Sequence, residues 1–409
     1  MKATIREMGK NEPDAVVAGL RTASYPNFPE ARQTEFYEEL YRWHRAHPLG
    51  DQVRRWVAET REGEVVGHLN ALPQHYRVAG RRLVAHTPGD YMVLPGYGFQ
   101  ALALMRRFFR ATENFVACDM VPTVISVETR MGAEVAGKLK YAAKLLNVSR
   151  LPVPSVPGPA RRALNLPAYL APARGYDVSR EQIDSSSQAA EDGQGTPPPV
   201  RPRAPIPGPA KTALNWTLGA LDEALSKGYG VDGRGRDLEV EEVDDFDASF
   251  DELFEKVAAV VPCIPEKDSA YLRWRYGPGS PQHPVKVLCV RGTQGLLGYA
   301  VLKILFTGED GFVLDLTTLP GRWEVARALL RESVRYFRGE GAHIIRYRFL
   351  ASPTSPRPED LRRMGFFDRK GRDNWLLVRF AEPGLHELGV NPDNWSYNVG
   401  DGEATFWIR

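Results

Sequence analysis

The apolar positions of this chain change period along its length, and the changes come in nearly the same order twice. Residues 3–8 read as a short strand and residues 12–23 as a helix. Residues 34–47 place Phe36, Leu40 and Trp43 at the spacing of one helix face. Three alternating segments, 54–60, 64–72 and 81–94, predict consecutive strands separated by turns at 61–64 and 78–81. A helix over 100–111, a strand over 115–120, a helix over 122–132 and a closing strand over 140–148 complete the unit. From residue 238 the pattern returns. It gives a strand (238–243), two helices (250–261 and 269–276) and three strands (285–291, 295–305, 311–319). A long helix (325–342), a strand (343–350), a short helix (358–366) and a strand (374–380) follow.

The return is visible in the residues themselves. DYMVLPGYGFQALALM at 90–105 matches DLTTLPGRWEVARALL at 315–330 at seven of sixteen positions, where average composition gives about one. The shared residues are Asp90, Leu94, Pro95, Gly96, Ala101, Ala103 and Leu104 against Asp315, Leu319, Pro320, Gly321, Ala326, Ala328 and Leu329. Each copy predicts a strand that ends at Pro-Gly, a short loop, and a helix opening on small residues. Arg42-Trp43 and Arg273-Trp274 precede the two copies, and Arg130-Met131-Gly132 and Arg363-Met364-Gly365 follow them. The order of markers predicts two related α/β domains, at 1–150 and 237–381, with a tail over 382–409 lying on a domain surface or forming a last hairpin.

Residues 151–236 differ in character. Proline is dense, and 185–204 lacks the apolar residues of a core, so that stretch is expected to be mobile. SVPGPARRALN at 155–165 and PIPGPAKTALN at 205–215 are a second, smaller duplication. Each places Pro at the start of an Ala/Leu-rich helix, read as a linker helix packed on the domains. In the second, Leu214, Leu218, Leu221 and Leu225 share a face.

Composition changes this picture little. The 53 Lys+Arg against 51 Asp+Glu leave a net charge of +2, too near neutral to imply nucleic acid. Three cysteines without paired spacing argue against a disulfide framework. No apolar run reaches the length of a membrane span, and the polar start lacks a signal-peptide core. A cytoplasmic protein is expected. His44 and His47 stand one helical turn apart with no third ligand evident, so no metal is expected and a solvated or capping role is assigned to them. His68, His75 and His86 are read onto separate strands, one of them a candidate for facing a cleft. Cys118 is read as a buried structural thiol.

The element order, the Pro-turn-helix after the fourth strand and the Met-Gly ending the next helix resemble the GNAT superfamily of acyl-CoA-dependent N-acyltransferases, in tandem form. The segment YLRWRYGPGSPQHPVKV followed by GLLGYAVL resembles a subgroup associated with bacterial polysaccharide or amino-sugar biosynthesis. The resemblance implies two GNAT-like domains, each a mixed, splayed central sheet flanked by helices. It implies acetyl-CoA or another acyl-CoA as co-substrate, direct transfer to an amine, and a small-molecule acceptor such as an amino sugar or amino-acid-like metabolite.

By that resemblance the pyrophosphate would rest on the loop and helix start, where free backbone N–H groups and the helix dipole favour an anion. The implied cofactor-binding residues are Val93, Leu94, Pro95, Gly96, Tyr97, Gly98, Phe99, Gln100, Ala101 and Ala103. Alanines stand where the family usually has glycines. Glu324 opens the second helix, where its charge opposes a diphosphate, so the first copy is the expected cofactor site. Asp90 is the candidate base, provided burial raises its pKa. Glu128 occupies the place of the family's usual tyrosine acid, Leu361 occupies it in the second half, and Tyr91 is a substitute donor. Three alternatives stay open: a binding or scaffold protein without catalysis, an aminoacyl-tRNA-dependent peptidyltransferase-like enzyme, and a protein-lysine acyltransferase.

Overall fold

A computed structural model describes residues 3–9, 12–24, 34–148, 208–225, 238–305, 310–369 and 373–403. The repeats at 155–165 and the stretch 185–204 lie outside the described residues, as does the Phe36 side chain. The first half runs β1 (Ala3–Glu7), α1 (Asp14–Ser24), α2 (Thr34–Arg45), β2 (Arg54–Thr60), β3 (Val65–Val78), β4 (Arg81–Val93), α3 (Gly98–Ala111), β5 (Phe115–Asp119), α4 (Pro122–Arg130) and β6 (Glu134–Lys138). Next come β7 (Lys140–Leu145) and α5 (Gly208–Leu225). The second half runs β8 (Val240–Val243), α6 (Ala248–Ala258), β9 (Cys263–Pro265), α7 (Ser269–Tyr276), β10 (Lys286–Gly292), β11 (Gly295–Ile304), β12 (Asp310–Thr318), α8 (Trp323–Gly339), β13 (Ile344–Phe349), α9 (Pro358–Arg363) and β14 (Phe367–Asp368). It ends with β15 (Trp375–Arg379) and α10 (Pro383–Gly389).

These strands build two mixed sheets, in the orders β1-β2-β3-β4-β5-β15-β6 and β14-β7-β13-β12-β11-β10-β8. Each sheet is completed by a strand from the other half. β15 lies antiparallel between β5 and β6, and β7 lies between β13 and β14. The strand at 140–148, expected to close the first unit, therefore belongs to the second sheet. The cause is local. Only Leu139 separates β6 from β7, and a tight hairpin needs at least two loop residues. The chain cannot turn back at Leu139, so it crosses to the other sheet. β9 adds a further link by pairing with the end of β3.

Both faces of each sheet are covered, as apolar residues on both sides require. In the first half α1 and α2 cover one face through Val17, Leu20, Leu40, Tyr41 and Trp43. The other face packs Leu104, Met105 and Phe108 of α3. In the second half α6 and α7 cover one face and α8 and α9 the other. A fifth cluster joins the halves, packing Tyr76, Val116 and Leu376 against Trp395, Tyr397 and Val399 of the tail. The tail is thus buried between the halves, unlike the surface position expected from its turn-rich sequence.

The paired Arg-Trp markers meet across this junction. The Trp43 and Trp274 rings stack at 4.2 Å with planes 1° apart. Each indole N–H donates to the other residue's carbonyl oxygen, at 2.7 and 2.8 Å. The reciprocity is that of a two-fold contact, so the sequence repeat has a spatial counterpart.

His44 and His47 are buried beside these tryptophans and are not solvated. Burial pushes both imidazoles down to about 3. His47 Nδ1 accepts the Leu49 N–H at 2.8 Å, a capping role.

Candidate active site

The site is built from a strand pair that fails to stay paired. β4 and β5 run parallel and register at a single pair, His86 with Phe115. Beyond it they separate, leaving a wedge in the sheet in which the Val116 carbonyl accepts from the Thr87 hydroxyl at 2.6 Å and Gly402 of the tail lies against Cys118. The register of β3 against β4 slips at the same level. Asn70 faces Gly89 while His68 faces Met92, so Asp90 and Tyr91 together oppose Leu69 in a β-bulge. Asp90 adopts φ +50, the left-handed region that an aspartate enters at a cost.

Four groups hold that bulge. The Asp90 carboxylate accepts from Arg21 at 2.6 Å, from the Tyr41 hydroxyl, and from His68 Nδ1 at 3.1 Å. His68 Nδ1 also lies 3.0 Å from the Asp90 carbonyl oxygen. His68 and His75 share the single strand β3, which continues through Pro73 where two separate strands were expected; His68 is the one that meets the bulge. Burial alone would raise the Asp90 carboxyl. The Arg21 guanidinium and the His68 and Tyr41 bonds outweigh it and hold Asp90 well below the usual carboxylate range. A carboxylate so low and so fully engaged is an anchor, not the burial-raised base that the sequence suggested. The Asp90 N–H, displaced from the ladder by the bulge, donates to Glu403 Oε1 at 3.2 Å.

Tyr91 and Glu128 come together on the other face. Tyr91 is half-buried, and its phenol is pushed up by burial and by the proximity of Glu128. Glu128, on α4, is 0% exposed, and neither carboxylate oxygen has a hydrogen-bond partner. Burial, with a smaller contribution from Asp119, pushes its carboxyl far above the usual range. Asp119, at the end of β5, is also raised by burial although it accepts the Met120 and Val121 N–H groups at 2.6 and 2.8 Å.

The turn that follows β4 heads the wedge. Val93 and Leu94 pack inward, Pro95 and Gly96 are exposed, and Gly96 takes φ +88, which closes the turn without a Cβ clash. α3 then begins after Tyr97 with no side-chain cap and no acidic residue in its first turn. Gly98 is open, Phe99 is 92% exposed, and Ala101 and Ala103 are half-buried. Gln100 is committed elsewhere, its amide donating to the Ala3 carbonyl at 3.0 Å.

The second copy has the same turn, with Gly321 at φ +75 before α8, yet its wedge is filled. β12 and β13 pair from Asp310 to Val313 and then separate. Residues 397–401 of the tail enter the gap. Leu350 N–H donates to the Tyr397 carbonyl at 2.8 Å, and Asn398 bridges to Phe349. The Asn398 amide donates to Asp315 Oδ1 at 2.9 Å and accepts from the Tyr347 hydroxyl at 3.0 Å. Buried Lys267 joins Asp315 and Asp401, at 3.0 Å to each. The turn is covered as well: Gly321 N–H donates to the Pro353 carbonyl at 2.8 Å, and Glu324 sits in the first turn of α8 paired to Arg322.

The structure places the predicted turn at the head of the wedge and sets Tyr91 and Glu128 within electrostatic reach of each other. Sequence reasoning missed Arg21, Tyr41 and Glu403, which reach Asp90 from far along the chain with no motif to mark them.

No family model matches the chain, and no curated protein matches it in sequence. Solved structures do resemble it. A GCN5-related N-acetyltransferase from Anabaena variabilis is 11% identical with a TM-score of 0.51, covering 93% of this chain and 73% of its own. Saccharomyces cerevisiae N-myristoyltransferase with bound myristoyl-CoA is 11% identical with a TM-score of 0.51, covering 92% of this chain and 79% of its own. At these identities the likeness is one of fold. The fold is that of GNAT-type N-acyltransferases, with two mixed sheets consistent with a tandem of such domains.

Proposed function

We propose that the first half is an acyl-CoA-dependent N-acyltransferase and that the second half is its scaffold. The observation that carries this reading is the contrast between the wedges. The β4–β5 wedge is headed by an uncharged turn and an uncapped helix start and meets the tail at Gly402 and Glu403, while residues 397–401 fill the β12–β13 wedge. In the first wedge a pantetheine arm would satisfy the strand edges left by the splay. The diphosphate would lie on N–H groups of the turn and first helical residues other than those of Tyr97 and Gln100, which donate to the Leu94 and Tyr97 carbonyls, with Arg106 and Arg107 further along α3.

The chemistry assigns roles to the chain's own groups. The acceptor amine attacks the thioester carbonyl carbon, the C–S bond breaks, and the amine's surplus proton leaves to water. Glu128, held neutral, gives its proton to the departing thiolate and regains one from solvent. Tyr91, within electrostatic reach of Glu128, would be a second donor to the departing thiolate. The Asp90 N–H, now on Glu403, is placed to receive the developing charge on the carbonyl oxygen. Asp90 keeps the bulge in shape. The acceptor is read as a small amine, of amino-sugar or amino-acid type; the neutral net charge of the chain favours neither tRNA nor another polyanion as substrate.

Calorimetric titration with acetyl-CoA tests the placement. The wild type should bind one equivalent, and Ala101→Glu should weaken binding at least about tenfold by placing a charge under the diphosphate. Unchanged affinity in that variant would remove the assignment.

A further inference from the structure

The two exchanged strands cross beside a cavity that the acyl-transfer reading does not use. It holds about 700 Å³ and is lined by the crossover residues 138–142, the end of β13, α9, β14 and Asn374. None of residues 90–103 reaches it. We infer that this cavity is a second binding site, for a small molecule joining a planar base to an anionic group, of which a nucleoside monophosphate is the simplest example.

Size is the first argument, since pockets for small molecules span about 300–1,000 Å³. Lining is the second. Phe349, Phe366, Phe367 and Tyr141 give aromatic and apolar surface, and Phe367 is 47% exposed, unusual for a large apolar side chain. Tyr141 is fixed in place: its hydroxyl accepts from Arg346 at 2.6 Å, and the Arg348 guanidinium covers its ring at 4.2 Å. The Arg369 guanidinium also lies over this ring, 5.6 Å from its centroid, and a planar base would take that place against a ring with little entropy left to lose.

Charge is the third argument. The walls carry Lys138, Lys140, Arg362 and Arg369 against Asp368 and Asp373. Lys138 neutralises Asp373 at 2.6 Å, so the remaining balance is positive and suits a phosphate. The fourth argument is an unmet demand. Asn374 is 2% exposed; its side chain lies against the Cys118 thiol, and neither its Nδ2 nor its Oδ1 bonds to a nitrogen or oxygen. A side-chain amide offers a donor and an acceptor side by side, the complement of a nucleobase edge with its own acceptor and donor. Its backbone is held meanwhile, the Leu139 N–H donating to the Asn374 carbonyl at 2.9 Å. The site needs both crossing segments, 138–142 and 373–374, and so exists only in the exchanged fold.

The test is calorimetric titration of the full chain with AMP, ribose 5-phosphate and inorganic phosphate. AMP should bind saturably, with the two base-free probes at least about tenfold weaker. Asn374→Leu should weaken AMP at least about tenfold and leave acetyl-CoA affinity unchanged. Should that buried substitution impair folding, the exposed change Lys140→Glu serves instead and should also weaken AMP. AMP and CoA should bind together without competition. No saturable AMP binding at millimolar concentration, binding indifferent to these substitutions, or displacement of AMP by CoA would each overturn the inference. None of these outcomes depends on catalysis, so failure here leaves the acyl-transfer reading standing.

Discussion

Glu128 carries the sharpest consequence at the scale of single residues. Its carboxyl is raised by burial, so the folded chain keeps a proton that the unfolded chain releases near pH 4.5. For an acid raised on folding, the associated stability is full below the unfolded pKa and is lost as pH rises toward the folded one. Each unit of difference is worth about 1.4 kcal/mol. Glu128→Gln mimics the neutral form and removes that loss. Urea midpoints should therefore show the variant gaining on the wild type between pH 5 and pH 8, while turnover falls about a hundredfold or more. A variant destabilised equally at both pH values would show that Glu128 is ionised in the folded chain.

Asp90 has the opposite character. It is a buried anion, and its loss removes the ion pair with Arg21. Asp90→Asn should cost about 3–5 kcal/mol of unfolding free energy, as breaking a buried ion pair does. A midpoint within error of wild type would mean the bulge stands without that anchor. Sequence alone could name Asp90, Tyr91 and Glu128, because each sits at a fixed offset from a motif. It could not assign their protonation behaviour, since that of Asp90 depends on Arg21, Tyr41 and His68 from α1, α2 and β3, and that of Tyr91 and Glu128 depends on burial.

At the scale of elements, most strands and helices follow from their periodicity. The misassigned ones are those whose place depends on distant partners. KYAAKLL alternates as a strand should, and nothing in its side chains says which sheet it joins; the one-residue spacer at Leu139 decides that. The tail reads as irregular because its role is to fill a gap. Gly400 records how closely it fits: a Cβ there would lie 2.3 Å from the Tyr276 hydroxyl and 2.5 Å from the Leu314 carbonyl oxygen. Gly400→Ala should therefore destabilise by about 1–3 kcal/mol and raise hydrogen exchange in β12 and β13 near the tail. An unchanged midpoint would show that the tail is not seated in that wedge.

α5 is the exception to ordinary amphipathic docking. It lies on the second half through polar groups, Asn215 to the Val148 N–H and Asp222 to Lys144 and Arg338. Leu214, Leu221 and Leu225 remain exposed on it. The leucine stripe read from sequence is present, but it is not the face that docks.

For the whole molecule, the exchange of β7 and β15 makes the halves interdependent. Either half alone would present a gapped sheet and an uncovered junction. Residues 1–148 and 208–409 should each be insoluble when expressed singly and should recover as a soluble complex when co-expressed. Independent folding of either half would contradict the topology. The tandem plan was legible because the Pro-Gly turn, the Arg-Trp pair and the Met-Gly helix end each recur. The interlocking was not, because strand exchange leaves the periodicity of every strand intact. No helix among the described residues is long and apolar enough to cross a membrane.

The central claim is that acyl-CoA enters the β4–β5 wedge, which the tail meets at Gly402 and Glu403, while its twin is filled by residues 397–401. Hydrogen exchange by mass spectrometry, with and without saturating acetyl-CoA, tests it most directly. The account predicts new protection in residues 94–101 and 115–121 and none in 319–326. Protection confined to 319–326, or absent from both turns, would contradict it.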